Sequence, residues 1–343
     1  MEKDVVKDLF KKNNAVIFFD YFVLYAKTII FSPLSLFLGV WLNIFIMVSW
    51  FAFKQGDSFL LSSIVATGVV RNGMYTFLRS LLNIKRVGAN DRLRLVPTNR
   101  AIEVSAALTW NFIYNLGSTI IFIGIALIFI PTQRVMFENI NWLMYVSGYL
   151  LLWLSSVLTA YLLYIGFKNP ENSQAVAIIM YVIAYTFFGC AFPFASVAKF
   201  GWLDIILYIF PQRYAINILQ AGWVNATSMR YTNLEWSEKV DWGFGGRLWL
   251  PYVISFCVLA LLAFGLIMFY MKKNKWHKKD QYGNLIHKRG SQYIKLIKSA
   301  TSIEELDKIR NDYMLQRESD INTLKGKTTK ANKTAKVGRT KNK

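Results

Sequence analysis

Side chains able to do chemistry are few in this 343-residue chain, and they stand apart from one another. Its two histidines, His277 and His287, lie in a basic C-terminal stretch, and its two cysteines, Cys190 and Cys257, sit singly inside apolar runs. The cysteines read as small buried hydrophobes, not as a disulfide. No His/Cys/Asp set has metal-ligand spacing, and no Ser-centred nucleophile elbow is present. Gly326-Lys327 lacks the upstream glycine and the following helix of a phosphate loop. These patterns weigh against a membrane enzyme, and apolar runs without carboxylates weigh against a proton-driven antiporter. What remains is a cation: Arg71, which interrupts the stretch 58–82, with Arg79 near its end. A charge at mid-bilayer faces a bundle interior, an aqueous path or a partner, unless its side chain snorkels to the interface.

The elements that hold Arg71 follow from hydropathy. Five stretches carry no charge at all: 28–53, 104–133, 139–167, 172–198 and 248–271. A helix needs roughly 20 apolar residues to cross the hydrocarbon core, so each is long enough. With 58–82 added, the expected fold is an all-α membrane protein of six transmembrane helices over 28–271. An N-terminal interfacial helix is expected within 1–27, with Val5, Val6, Leu9 and Phe10 opposite Lys7, Lys11 and Lys12. From Phe192 to Met229 the chain is apolar, yet Lys199, Asp204, Pro211 and Arg213 cut it into pieces too short to span. Two short helices re-entering from the outer face are expected there. The last domain, 272–343, is a basic cytoplasmic tail: Ser302 and Glu305 predict a helix start, and 325–343 is too polar to fold.

Charge then sets orientation. The formal charge is +20, and 20 of the 40 Lys and Arg fall in 272–343. With both termini inside, 32 of them flank the inner face and seven the outer, as the positive-inside rule requires. The excess lies beside membrane spans, so the expected partners are anionic headgroups of the plasma membrane and not nucleic acid. Lys- and Asn-rich usage points to a bacterial source. One inner loop, 83–103, is long and amphipathic; the other, at Lys168-Asn169-Pro170-Glu171-Asn172, is minimal.

Two segments carry a resemblance. Arg86-Val87-Gly88-Ala89-Asn90-Asp91-Arg92-Leu93-Arg94-Leu95-Val96-Pro97-Thr98-Asn99-Arg100 resembles the cytoplasmic loop after the second span of type 2 ABC exporter permeases. Arg86, Gly88, Leu93, Pro97 and Arg100 fall in register with that family, whereas Ala89-Asn90-Asp91 departs from its usual Thr-Leu-Glu. Phe192-Pro193, followed by Pro211-Gln212-Arg213-Tyr214-Ala215-Ile216, is similar to the family's outer re-entrant element. The likeness covers 5–271; the basic tail lies outside it. It implies that 88–96 is a coupling helix docking on a separate ATP-binding subunit, through Gly88, Arg92, Leu93, Leu95 and Pro97. Phe192, Pro193, Pro211 and Tyr214 would belong to an outer gate. ATP and magnesium would bind the partner ATPase, this chain holding no cofactor, and two permease chains, alike or different, would pair. The cargo implied is a drug, peptide or lipid-like molecule more than a polysaccharide. Two readings stand beside it: a membrane scaffold recruiting a partner through the tail, and a transferase acting on lipid-linked substrates.

Overall fold

A computed structural model describes residues 14–53, 57–86, 100–167, 169–189, 191, 192, 197, 200–233, 238–279, 293, 296, 297, 299, 300, 302 and 304–315. The chain divides into one compact unit, Ile17–Asn274, and a second comprising Met1–Val16 and Lys275–Lys343.

Helix α1 runs over Asn14–Ile30, three residues past the boundary expected at 27. Its stop is local: Pro33 cannot continue the ladder, and instead takes the first position of α2. Helix α2 comprises Pro33–Leu36, a π-helical turn over Phe37–Trp41 and Leu42–Phe53. Helix α3 is built the same way, from Leu60–Val70, a π turn over Arg71–Thr76 and Phe77–Arg86. Asp57 starts it, its Oδ1 accepting from Phe59 N–H at 2.9 Å. The helix therefore continues past the end expected at 82.

Helix α4 is Arg100–Phe129. The run 104–133 was expected as one span, but Ile130 turns extended and Pro131 starts a separate short helix, α5 (Pro131–Glu138). Arg134 of α5 reaches back over the end of α4, its Nε donating to Leu127 O and its Nη2 to Ile128 O at 2.6 Å. A cation there satisfies the orphan carbonyls at the negative end of the helix dipole.

Helix α6 (Trp142–Gly166) is capped by Asn141, and α7 (Pro170–Phe187) by Asn169 with Pro170 in its first turn. Then come α8 (Gly201–Leu207), α9 (Arg213–Trp223) and a hairpin of β1 (Arg230–Asn233) with β2 (Glu238–Asp241). The final helix, α10, is Trp249–Lys279. The described chain is thus mostly helical, and the hairpin is a departure from an all-α expectation. Tyr231 lies opposite Val240 in it and Arg230 opposite Asp241. Tyr231 and Trp242 set their rings 5.3 and 5.8 Å from Phe59, closing the start of α3.

Among the described residues, three helical segments are long and apolar enough to cross a membrane: Ala101–Phe129, Trp142–Gly166 and Trp249–Phe269. Helix α3 lies at the centre, buried along its whole length except for half-buried Tyr75, Arg79 and Asn83 and the exposed Lys85 and Arg86. It packs against α2, α4, α6, α7 and α9. Outward faces are apolar, as on α10 with Phe256, Leu261 and Phe264. In the second unit 304–315 is helical, with Ser302 Oγ accepting from Glu305 N–H at 3.2 Å and Tyr293 stacked 4.2 Å from Tyr313.

Candidate functional site

Burial singles out two places where polar groups are enclosed by apolar helices. The first is the middle of α3. Arg71 is 1% exposed, inside the bundle and not reaching toward a surface, with its guanidinium 5.0 Å from the centre of the Tyr181 ring. A cation over a desolvated aromatic face gains about 2 kcal/mol, which offsets part of the cost of taking the charge out of water.

Next to it, amides tie four helices together. Asn72 Nδ2 donates to Gly39 O in the π turn of α2 and to Ser118 Oγ, both at 3.2 Å. Asn111 Nδ2 donates to Asn72 O at 3.0 Å, and Trp153 Nε1 donates to Asn111 Oδ1 at 2.9 Å. Gly39 is needed here: a Cβ would lie 3.1 Å from Asn72 Oδ1 and closer still to the Tyr114 hydroxyl. Such π turns are rare and recur at functional sites; here two of them face each other.

The second place is α9. Its 11 residues rise about 16 Å, half of a hydrocarbon core of about 30 Å. Ten of them are buried, Tyr214 alone being half-buried. Two glycines allow this. A Cβ on Gly148 of α6 would lie 2.6 Å from Leu219 N, and one on Gly222 would lie 2.6 Å from Tyr145 N. Gln220 Nε2 donates to Ser63 Oγ at 3.0 Å and to Phe188 O at 2.9 Å, joining α9 to α3 and α7. Arg213 is 1% exposed, with its guanidinium 3.8 Å from the centre of the Tyr208 ring.

Of the expected gate residues, Pro211 is half-buried where the chain bends into α9. Tyr214 donates through its hydroxyl to Tyr208 O at 3.0 Å, and Phe192 is exposed. Pro193 lies outside the described residues, as do all five coupling positions, Gly88, Arg92, Leu93, Leu95 and Pro97. The two expected re-entrant helices differ: α9 is enclosed, while α8 leaves Trp202 and Ile205 exposed.

At the Arg86 end of α3, Tyr25 of α1 donates to Glu103 Oε1 at 3.5 Å. Burial above all pushes the Tyr25 phenol well above its ordinary value, so it stays a donor. Thr28 and Ser80 share a hydroxyl hydrogen bond of 2.5 Å beside it.

Asn72, Asn111, Asn115 and Gln220 were not anticipated. Asn111 and Asn115, four apart in an apolar run, carried a signal: amides at one-turn spacing on a single helix face. The described residues contain no group of three His, Cys, Asp or Glu able to hold a metal ion. Compared with protein-family models, curated proteins and solved structures, the chain gives no significant match.

Proposed function

We propose that this chain is the membrane-spanning permease subunit of an ATP-driven exporter of the type 2 ABC class. In this reading α2, α3, α4, α6, α7 and α10 are the six spans, α1 lies at the inner interface, and both termini are cytoplasmic. The bacterial plasma membrane is its place, and a drug, peptide or lipid-like molecule its cargo. Segment 88–96 docks on a separate subunit that holds ATP and magnesium, and a second permease chain completes the pathway.

One observation carries the reading. Helix α9, which bears the Pro211–Ile216 motif, is too short to cross a bilayer yet enclosed by α3, α6 and α7. Backbone at membrane depth must be shielded by protein in this way when an element turns back on itself. The polar middle of α3, with Arg71 and its amides, gives such a bundle a hydrophilic interior, as a conducting path requires. The folded helix 304–315 favours a second reading, a membrane scaffold that recruits its partner through the basic tail.

Co-expression of this chain with the phosphate-loop ATPase encoded nearest to it in its source genome tests the proposal. Wild type should co-purify with the ATPase, and Leu93→Glu/Leu95→Glu should not, because an unpaired carboxylate buried at the docking surface costs several kcal/mol. Capture that survives this change but fails on removal of 272–343 would replace the exporter with the scaffold. No capture by wild type would remove the motor and the reading with it.

A further inference from the structure

The π turn of α3 stands at an exchange point for one carbonyl. Asn72 O accepts from Phe77 N–H, five residues on, which is the π pattern. It also accepts from Asn111 Nδ2 at 3.0 Å. Meanwhile the Thr76 hydroxyl, on a residue 2% exposed, finds no hydrogen-bond partner among the described residues. In α geometry that same carbonyl would take Thr76 N–H, and a helical threonine hydroxyl bonds the carbonyl three or four residues back. Each arrangement therefore satisfies Asn72 O with different donors, and only the α arrangement satisfies Thr76.

Rewinding the turn has a defined consequence downstream. It rotates Phe77–Arg86 by about 100° and advances it by about 1.5 Å, one residue's worth of helix. Arg79 then takes the bearing now held by Ser80, opposite Thr28. That position is three residues, about 4.5 Å, along α1 from Tyr25 and the Glu103 carboxylate it contacts. A half-buried cation is brought toward an anion, which offsets the burial of Arg79. The same rotation moves Ile84, now 4% exposed, to the bearing of the exposed Lys85.

We propose that Arg71–Thr76 is a one-residue register switch: the helix alternates between π and α geometry there, turning Phe77–Arg86 beneath a fixed outer half. The side chains that set its balance are Asn111 for the π state and Thr76 and Arg79 for the α state. The amide from Asn72 to Gly39 O makes the facing π turn of α2 its fulcrum. The switch needs neither cargo nor ATPase, so its test is separate from that of the exporter reading.

The test follows Ile84→Cys in the full chain, with Cys190 and Cys257 replaced by Ala, in phosphatidylcholine–phosphatidylglycerol nanodiscs and with a charged maleimide as probe. Deleting Tyr75 removes the extra residue and leaves a continuous α-helix with the present downstream register. Labelling of Ile84→Cys should then slow by about tenfold, the loss of a minor state populated at about 0.1–10%. Asn111→Leu should speed it, and Arg79→Gln should slow it. Oxidising a Thr28→Cys/Ser80→Cys pair should slow it as the deletion does, and covers the case in which the deletion does not fold. Lys85→Cys should label fast throughout. Ile84→Cys that never labels, or labels equally in the deleted and disulfide-locked chains, would overturn the switch, the second result meaning simple fraying of the helix end.

Discussion

The contact between α6 and α9 makes the sharpest stability prediction. At Gly148 a Cβ would meet Leu219 N at 2.6 Å, Leu219 Cα at 2.9 Å and Ile218 C at 3.1 Å. At Gly222 it would meet Tyr145 N at 2.6 Å and Met144 C at 2.9 Å. These are mostly backbone atoms, so no rotamer change relieves them. Ordinary contact begins near 3.4 Å, so the helices must part by roughly 1 Å for either alanine. Overpacking of this kind costs about 1–3 kcal/mol. Parting also strains the two hydrogen bonds of Gln220, worth about 0.6 kcal/mol each on average between membrane helices. Packing therefore outweighs hydrogen bonding at this contact. Gly148→Ala and Gly222→Ala should each lower stability by about 2–4 kcal/mol, read as a fall in Tm of the detergent-purified chain. Gly117→Ala and Gly124→Ala, in open space on α4, are the controls; each should gain up to about 1 kcal/mol of helix propensity. Because one displacement relieves both clashes, the double variant should cost less than the two singles together. Gly148→Ala or Gly222→Ala matching the controls would refute the close packing of α9.

Two further outcomes follow from the same geometry. Gln220→Leu should destabilise by about 1–2 kcal/mol in the same Tm measurement, since it strands Ser63 Oγ and Phe188 O; a neutral result would mean that α9 is not held to α3 and α7 through this side chain. Arg230→Ala should change Tm little, because its 2.9 Å pair with Asp241 has both side chains about half exposed, and such pairs contribute about 0–1 kcal/mol. A large loss there would mean that the hairpin depends on that pair and not on Tyr231 and Trp242 against Phe59.

Chain composition alone determined where the long helices lie. An apolar run of bilayer length has no alternative to a helix that satisfies its own backbone, so 139–167 and 248–271 emerge as helices α6 and α10, the first starting three residues late and the second running eight residues on to Lys279. Proline and asparagine placed several boundaries by local chemistry, as at Pro33 and at Asn169-Pro170. Arg71 was visible because a charge in the middle of a mostly apolar run has no local explanation. Other features lay beyond any local rule. Pro131 sits inside an apolar run whose length alone suggests one span, and the break shows in the structure as an extended Ile130 with Arg134 closed over Leu127 and Ile128. The hairpin is four residues a strand, too short for its alternation to register before Tyr231 and Trp242 find Phe59. The π turns depend on amides from other helices: Asn111 and Gly39 must be beside Asn72 before an extra residue in α3 costs less than a straight ladder. The burial of α9 likewise rests on two glycines, 148 and 222, that are 74 positions apart in the chain and adjacent only in space. Backbone hydrogen bonding under apolar surroundings is local and can be read along the chain. Close packing is a property of pairs of surfaces, and it exists only once the helices meet.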